Sequence, residues 1–207
     1  YLNKSGDFTG ATNSDKGTLS VWFRCPTTGA RYIFGGYATT PDMWVCAAHV
    51  NAEGNLFFLA KEATAMFYYT YSAAPIPAGW NHLLVSWDGT ANAKAAYLNG
   101  SAMTLDFWTE SKSVTMTGML AWRVGTAALD FDGDICEYWF STANYYDLSV
   151  EANRLKFRTA GGKPADITAE GSPLIYLHGD YTAYGVNSGS GGNLTAVGTL
   201  YAAPDAP

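Results

Sequence analysis

Three acidic residues stand close together in one short stretch, in the kind of pattern that glycoside hydrolysis would need. Asp132, Asp134 and Glu137 lie in the segment Asp-Gly-Asp-Ile-Cys-Glu. A retaining glycosidase places its general acid and its nucleophile about 5–5.5 Å apart. In a regular strand Asp132 and Asp134 share a face, whereas Glu137 points away unless a bulge corrects it. We therefore predict that the three carboxylates do not converge around a cleft and that the protein is not an enzyme.

The histidines do not supply a catalytic set either. His49 and His82 fall in the middle of apolar, strand-like runs, and His178 precedes Gly179-Asp180. The sequence has no Gly-x-Ser-x-Gly elbow, phosphate-binding loop or His-x-x-x-His pair. Each histidine is interpreted as a packed or half-buried ring rather than a ligand.

Asp130, Asp132 and Asp134 are the candidate metal ligands. Carboxylates are hard oxygen donors of the kind that Ca²⁺ takes, but the spacing does not match an EF-hand loop. A solvated acidic turn is the alternative, and no other cofactor is expected. Three cysteines without a Cys-x-x-Cys pair disfavour a zinc site. They are interpreted as buried free thiols, as in a protein that folds in a reducing cytosol.

The aromatic residues are the best signal for binding. Flat rings stack on the C–H faces of sugars, and the candidates stand beside polar, Gly-rich or Pro-rich stretches: Trp44, Tyr69, Tyr71 and Trp108. Trp108 is predicted to lie on a loop. The alternative is that these rings belong to the core or to a protein interface, since aromatic residues are prominent in both.

Composition narrows the classes of partner. Only 14% of the residues are charged, and the formal net charge is −6 with a pI near 4.9. Twelve Lys and Arg without a cluster argue against nucleic-acid binding. No apolar run approaches the roughly 18 residues of a membrane span. The chain opens on Tyr1 without a signal peptide or an initiating Met, which we interpret as the start of a processed or excised piece.

The elements that must position these residues are short strands. Abundant Thr, Tyr, Phe and Gly favour strands and turns. Residues 18–25 alternate, with Leu19, Val21 and Phe23 on one face, and Phe67 is predicted to share a face with Tyr69 and Tyr71. One segment instead has helical spacing, near 149–157, with Ser149 as its N-cap. We predict an all-β fold, a two-sheet antiparallel β-sandwich (jelly roll) with about a dozen strands and one short helix near 149–157. The domain runs over 1–201, and 202–207 reads as a tail or the start of a linker.

Three ordered segments resemble the laminin-G-like jelly rolls of the concanavalin A-like lectin/glucanase superfamily. They are Thr-Leu-Ser-Val-Trp-Phe-Arg at 18–24, Trp-Asn-His-Leu-Leu-Val-Ser-Trp-Asp-Gly-Thr at 80–90, and Phe-Asp-Gly-Asp-Ile-Cys-Glu-Tyr-Trp-Phe at 131–140. Catalytic members carry two acidic residues flanking an Asp on one strand. Here the first of them is Asp132 rather than Glu, which shortens its reach. Some relatives hold Ca²⁺ at the rim of the sandwich.

The last third of the chain is similar to phage-associated members of the same superfamily. The similarity rests on Phe-Arg-Thr at 157–159 with Gly-Lys-Pro at 162–164, and on the glycine-rich stretch 187–195. It implies a non-enzymatic domain on the surface of a phage virion: a head decoration, fibre or tail component. Its partners would be other virion proteins or its own copies, and possible host glycans. The alternatives are a carbohydrate-binding lectin module of a secreted, extracellular bacterial protein and a glucanase-like glycoside hydrolase.

Overall fold

The computed structural model describes residues 1–25, 30–38, 43–63, 65–109, 112–125 and 131–207, with residue 38 and residues 43–46 described by their backbone. Fourteen strands lie within these ranges, with one turn of α-helix, α1 (Glu151–Arg154), and one 3₁₀ turn (Tyr181–Ala183). The strands are β1 (Leu2–Ser5), β2 (Lys16–Arg24), β3 (Arg31–Ala38), β4 (Met43–Val50), β5 (Leu56–Glu62), β6 (Ala65–Tyr71), β7 (Asn81–Asp88), β8 (Ala93–Leu98), β9 (Ser101–Ala102), β10 (Thr104–Trp108), β11 (Met119–Val124), β12 (Asp134–Ser141), β13 (Ile175–Leu177) and β14 (Thr195–Ala196). No helix in these ranges is long and apolar enough to cross a membrane.

The strands form two antiparallel sheets, which confirms the predicted β-sandwich. The larger sheet has eight strands in the order β10-β6-β5-β4-β3-β11-β1-β14. The smaller has six, in the order β13-β12-β2-β7-β8-β9. Because the hydrogen-bonded neighbours are often distant in sequence, each sheet is assembled from both halves of the chain.

The main core lies between the two sheets and follows the predicted alternation. Leu19, Val21 and Phe23 of β2 are fully buried in it. From the other sheet, Phe34 reaches the ring of Tyr138 with a centroid distance of 5.3 Å. Cys25 is a buried free thiol, as predicted, and burial raises its pKa to about 11.

A second apolar cluster covers the outer face of the six-stranded sheet. Leu84 of β7 and Trp139 of β12 alternate with core residues, so they project away from the main core. Leu148, Phe157 and Ile167 pack on them. The segment after β12 therefore buries this sheet on both faces.

Three local predictions need correction. The helix is only the four residues of α1, and Ser149 does not cap it, since its hydroxyl donates to Asp147 Oδ1 at 2.6 Å. Phe67 does not share a face with Tyr69, because a register shift between β5 and β6 turns Phe67 into the core. Trp108 lies at the end of strand β10 rather than on a loop.

Close packing of a tryptophan on a glycine fixes part of the eight-stranded sheet. Trp122 of β11 and Gly36 of β3 are directly opposite each other in the register. A Cβ at Gly36 would lie 2.7 Å from the indole ring, closer than nonbonded carbon atoms approach. The ring, only 1% exposed, has no room to retreat.

We predict that Gly36→Ala destabilises the protein by about 1–3 kcal/mol, because the added methyl overpacks the core against Trp122. Gly161→Ala is the matched control, since a Cβ there meets only one atom, at 3.9 Å. Urea unfolding followed by tryptophan fluorescence measures both free energies. Equal stabilities of the two variants would contradict the packing constraint.

Candidate functional site

The outer face of the eight-stranded sheet holds the candidate site. Residues opposite each other in antiparallel strands project to the same face, so the register identifies which side chains lie together. One register row crosses seven strands on the face away from the core, and it contains Asn3, Arg123, Gly35, Ala47, Leu59, Tyr69 and Phe107. We call this set the central row.

A chain of stacked rings runs beside the central row and joins it at Tyr69. His49 links two neighbours, with ring-centroid distances of 5.1 Å both to Tyr32 and to Phe57. Phe57 lies 5.5 Å from Tyr69 and 5.9 Å from Tyr71, and both pairs are stacked. All five rings are half-buried. We call Tyr32, His49, Phe57, Tyr69 and Tyr71 the aromatic row.

The central row has small side chains in its middle and large ones toward its ends. Gly35 and Ala47 present almost no side chain between the larger residues on either side. Arg123 stands at one end, with its guanidinium carbon 5.7 Å from the ring centroid of Tyr1 and 5.8 Å from that of Tyr37. Its buried Nε has no hydrogen-bond partner among the described residues. Gly35 and Ala47 are buried, and around them the face presents aromatic side chains on one flank and a cation at one end.

Polar groups lie among the rings. His49 Nδ1 is buried and finds no hydrogen-bond partner in the part of the chain that the structure describes. Burial lowers the pKa of the ring to about 4, so the imidazole is neutral at pH 7. Burial first, and then the negative charge of Asp106, raises the pKa of the Tyr69 hydroxyl. The face thus combines flat apolar surfaces with neutral hydroxyl and imidazole groups and one nearby carboxylate.

The predicted binding residues divide between this face and other places. Tyr69 and Tyr71 both belong to the aromatic row. Trp108 packs against the main core instead, with its Nε1 donating to Asn92 Oδ1 at 2.7 Å and Lys94 Nζ 5.0 Å from its ring centroid. The backbone of Trp44 pairs with Tyr37 in the same sheet, and its side chain lies outside the described residues.

Sequence reasoning missed three members of the aromatic row: Tyr32, His49 and Phe57. They fall on three different strands, and only the register brings them into line. Alternation within each run could have placed each one on the face away from the core. Predicting which rings are neighbours requires the order of the strands as well.

The acidic stretch at 132–137 contains the bulge that could redirect Glu137. The register between β12 and β2 shifts after Cys136, and Glu137 has a φ of +46°. Glu137 accepts a hydrogen bond from the Tyr176 hydroxyl at 3.1 Å, and burial raises the pKa of its carboxyl group. Asp134 instead accepts from Arg24 Nε at 2.9 Å. The two carboxylates are thus held by different partners.

The metal prediction stays open. Asp132 is exposed, and Asp130 lies outside the described residues. Within the part of the chain that the structure describes, no three His, Cys, Asp or Glu side chains are grouped to hold a metal ion.

Comparison with protein families identifies the fold. Residues 4–143 match the family model of the laminin G-like group in the concanavalin A-like lectin/glucanases superfamily. This match covers well over half of the chain. A comparison with curated protein sequences gave no significant match.

Solved structures share the fold at low sequence identity. A putative carbohydrate binding protein from Bacteroides ovatus matches with a TM-score of 0.68 and 15% identity over 99% of this chain, which spans 58% of that protein. The sialidase CBM40 of Ruminococcus gnavus, bound to α2,6 sialyllactose, gives 0.53 and 14% over 73% of this chain and 97% of that one. The heptameric SAP-like pentraxin of Limulus polyphemus gives 0.52 and 14%, over 86% and 92%.

We predict that His49 makes the stability of the fold depend on pH. Its pKa is about 4 in the folded state and about 6.5 when unfolded, so the unfolded chain binds the proton more tightly. The stabilising contribution is complete above pH 6.5 and is lost as the pH falls toward 4. When the pH falls from 7 to 5, the free energy of unfolding of the wild type should decrease by up to about 2 kcal/mol more than that of His49→Gln.

Urea unfolding at pH 7 and pH 5 measures this difference. Tyr32→Phe is the control, because it alters the neighbouring ring without removing a group that titrates in this range. A wild-type pH slope that survives unchanged in His49→Gln would contradict the burial of a neutral imidazole.

Proposed function

Because the chain belongs to the concanavalin A-like lectin/glucanase superfamily, we propose that it is a non-enzymatic glycan-binding domain that uses the outer face of its eight-stranded sheet. The single observation that carries the proposal is the aromatic row beside the small residues in the middle of the central row. Carbohydrate-binding proteins are among the solved structures that share its fold, but at 14–15% identity this likeness supports the fold alone, so the functional proposal rests on the face itself.

The chemistry of the face suits a chain of sugars. Sugar rings present C–H faces that stack on aromatic rings and hydroxyl groups that need polar partners. The half-buried rings of Phe57 and Tyr71 provide the first, and the tyrosine hydroxyls and neutral His49 provide the second. From β3 to β6 the aromatic row crosses three strand spacings, roughly 14 Å. This length fits several linked sugars better than a single one.

The face favours a neutral or weakly charged glycan. Within the described residues the aromatic row carries no charge at pH 7, and the nearby charges are of both signs: Arg123 and Lys61 are cations, and Asp106 is an anion. A row of rings without a deep pocket also suits recognition along a chain rather than at its end.

A docking domain on the surface of a phage virion is the second candidate, and it can coexist with glycan binding. The observation that favours it is the apolar surface of β10, an edge strand of the eight-stranded sheet, where Leu105 is 47% and Phe107 is 42% exposed. Exposed apolar side chains on an edge strand suit contact with a shell protein or a second copy of this chain. Detection of the chain in purified particles would support the virion setting, and its occurrence only as a secreted monomer would support the extracellular one.

We predict that Phe57→Ala and Tyr71→Ala each weaken glycan binding by about tenfold or more, because each removes a central stacking surface. Tyr181→Ala is the control, since this 41% exposed ring lies in the 3₁₀ turn and belongs to neither the aromatic row nor the central row. A glycan array screen followed by titration calorimetry with the best oligosaccharide gives the affinities. Loss of binding in the control alone, or in none of the three, would contradict the proposed face.

We also predict that the protein does not hydrolyse the glycan it binds. Asp134 is held by Arg24 and Glu137 by Tyr176, so a general acid and a nucleophile are not free to share a scissile bond. Incubation with laminarin and other β-glucans, followed by a reducing-sugar assay, tests this. Turnover that Glu137→Gln abolishes would overturn it.

A further inference from the structure

A small cleft on the outer side of the six-stranded sheet contains two arginines that form no ion pair among the described residues. It lies between the β7–β8 strands and α1 with the turn that follows it, and its volume is about 170 Å³. His82, Tyr97 and Gly100 line it from the sheet side, Arg154 lines it from α1, and Arg158 lines it from the turn. This site is separate from the aromatic row, which lies on the other sheet.

Arg158 is the less satisfied of the two. Its Nε is buried without a hydrogen-bond partner, and in the described part of the chain its guanidinium has no ion pair within 4 Å. A buried donor left without a partner costs about 1–3 kcal/mol, more when it is charged. The buried Nε therefore costs stability, and the charge of the guanidinium lacks a counter-ion among the described residues.

Glycine residues hold the Arg158 guanidinium in place. A Cβ at Gly100 would lie 3.1 Å from Nη1, and one at Gly162 would lie 2.8 Å from Nη2. Both glycines have positive φ, +84° and +76°. The backbone thus approaches the guanidinium at two of its nitrogens and limits where the group can move.

Arg154 places a second cation in the same cleft. Its guanidinium carbon stands 4.8 Å from the ring centroid of Tyr97, and its Nη1 donates to the carbonyl of Leu148 at 2.6 Å. These contacts fix the side chain and leave its remaining N–H groups for another acceptor. Because Arg154 and Arg158 are four residues apart in a helical turn, their like charges repel each other.

Two neighbours complete the electrostatics of the cleft. Burial first, and then the charge of Arg158, lowers the pKa of His82 to about 3, so this ring is neutral and adds no third charge. Glu151 is exposed at the rim and makes no ion pair with either arginine within 4 Å. The interior of the cleft is therefore positive.

We propose that this cleft binds a small ligand through an oxyanion, a carboxylate or a sulfate, held between Arg154 and Arg158. Arginine presents paired N–H donors that match the oxygens of such groups, and an anion would relieve the repulsion between the two cations. A cleft of about 170 Å³ suits a small anion or one acidic monosaccharide rather than an oligosaccharide. This second site does not depend on glycan binding at the aromatic row.

Titration of the ¹⁵N-labelled protein with sodium glucuronate and with sodium sulfate tests the proposal, with glucose as the neutral probe. We expect saturable amide shifts at residues 97–100 and 158–162 with one or both anions and none with glucose. Shifts with glucuronate alone would show that the site recognises an acidic sugar through its carboxylate. Shifts with both anions would show that the site recognises an oxyanion in general. Absence of saturable shifts at these residues with either anion would overturn the proposal.

Variants give an independent measure. Arg158→Met, which keeps the unbranched apolar stem of the side chain but lacks the guanidinium, should weaken anion binding at least tenfold, as should Arg154→Met. Lys163→Met removes the same charge from an exposed position in the same segment and should leave the affinity within twofold of the wild type. Equal weakening by Lys163→Met would show a general charge effect and would overturn the assigned site. The amide spectrum of each variant shows whether it has folded.

Discussion

Two tryptophan rings, each lying over a glycine on the adjacent strand, tie the two sheets together. Trp122 lies over Gly36 in the eight-stranded sheet, and Trp87 lies over Gly17 in the six-stranded one. Each ring also reaches the other sheet: Trp122 is 6.5 Å from Phe140, and Trp87 is 5.7 Å from Phe58. Any side chain at either glycine would displace a ring that both sheets depend on. The strand register, and with it the order of residues on both outer faces, rests on these contacts.

The outer faces of the two sheets differ in how far other residues cover them. The segment after β12 packs Leu148, Phe157 and Ile167 on the six-stranded sheet and buries it. On the eight-stranded sheet the described residues leave a row of rings half-exposed. Exposed aromatic surface costs free energy unless a partner covers it, so this asymmetry is the physical basis for placing glycan recognition on the larger sheet. The same covering segment creates the positive cleft, because it brings Arg154 and Arg158 against the β7–β8 strands.

Much of the fold could be predicted from alternation and turn residues. The core face of β2, with Leu19, Val21 and Phe23, follows from the period-two alternation of residues 18–25. The Asn99-Gly100 turn follows from residue type, and its φ values of +53° and +84° are those of a tight hairpin. These features are local, so neighbouring residues are enough to specify them.

The candidate site was predicted only in part, because its geometry is not local. Tyr69 and Tyr71 could be selected as aromatic residues near polar stretches, but their stacking partner Phe57 required the pairing of β5 with β6. Bulges were a second source of error. The register shift between β5 and β6 moved Phe67 to the core, and the one after Cys136 altered the direction of Glu137. A bulge adds one residue with little signature in the sequence, and every later side chain changes face.

Glycan binding across the aromatic row is the central proposal for this protein. Side-chain NMR of the aromatic rings tests it most directly, with laminarihexaose, cellohexaose and the best oligosaccharide from the array as probes. We expect the ring resonances of Phe57, Tyr69 and Tyr71 to shift on binding, whereas those of Trp139 and Phe157 in the covered face do not shift. Binding that shifts only the covered face, or only residues outside both sheets, would contradict it.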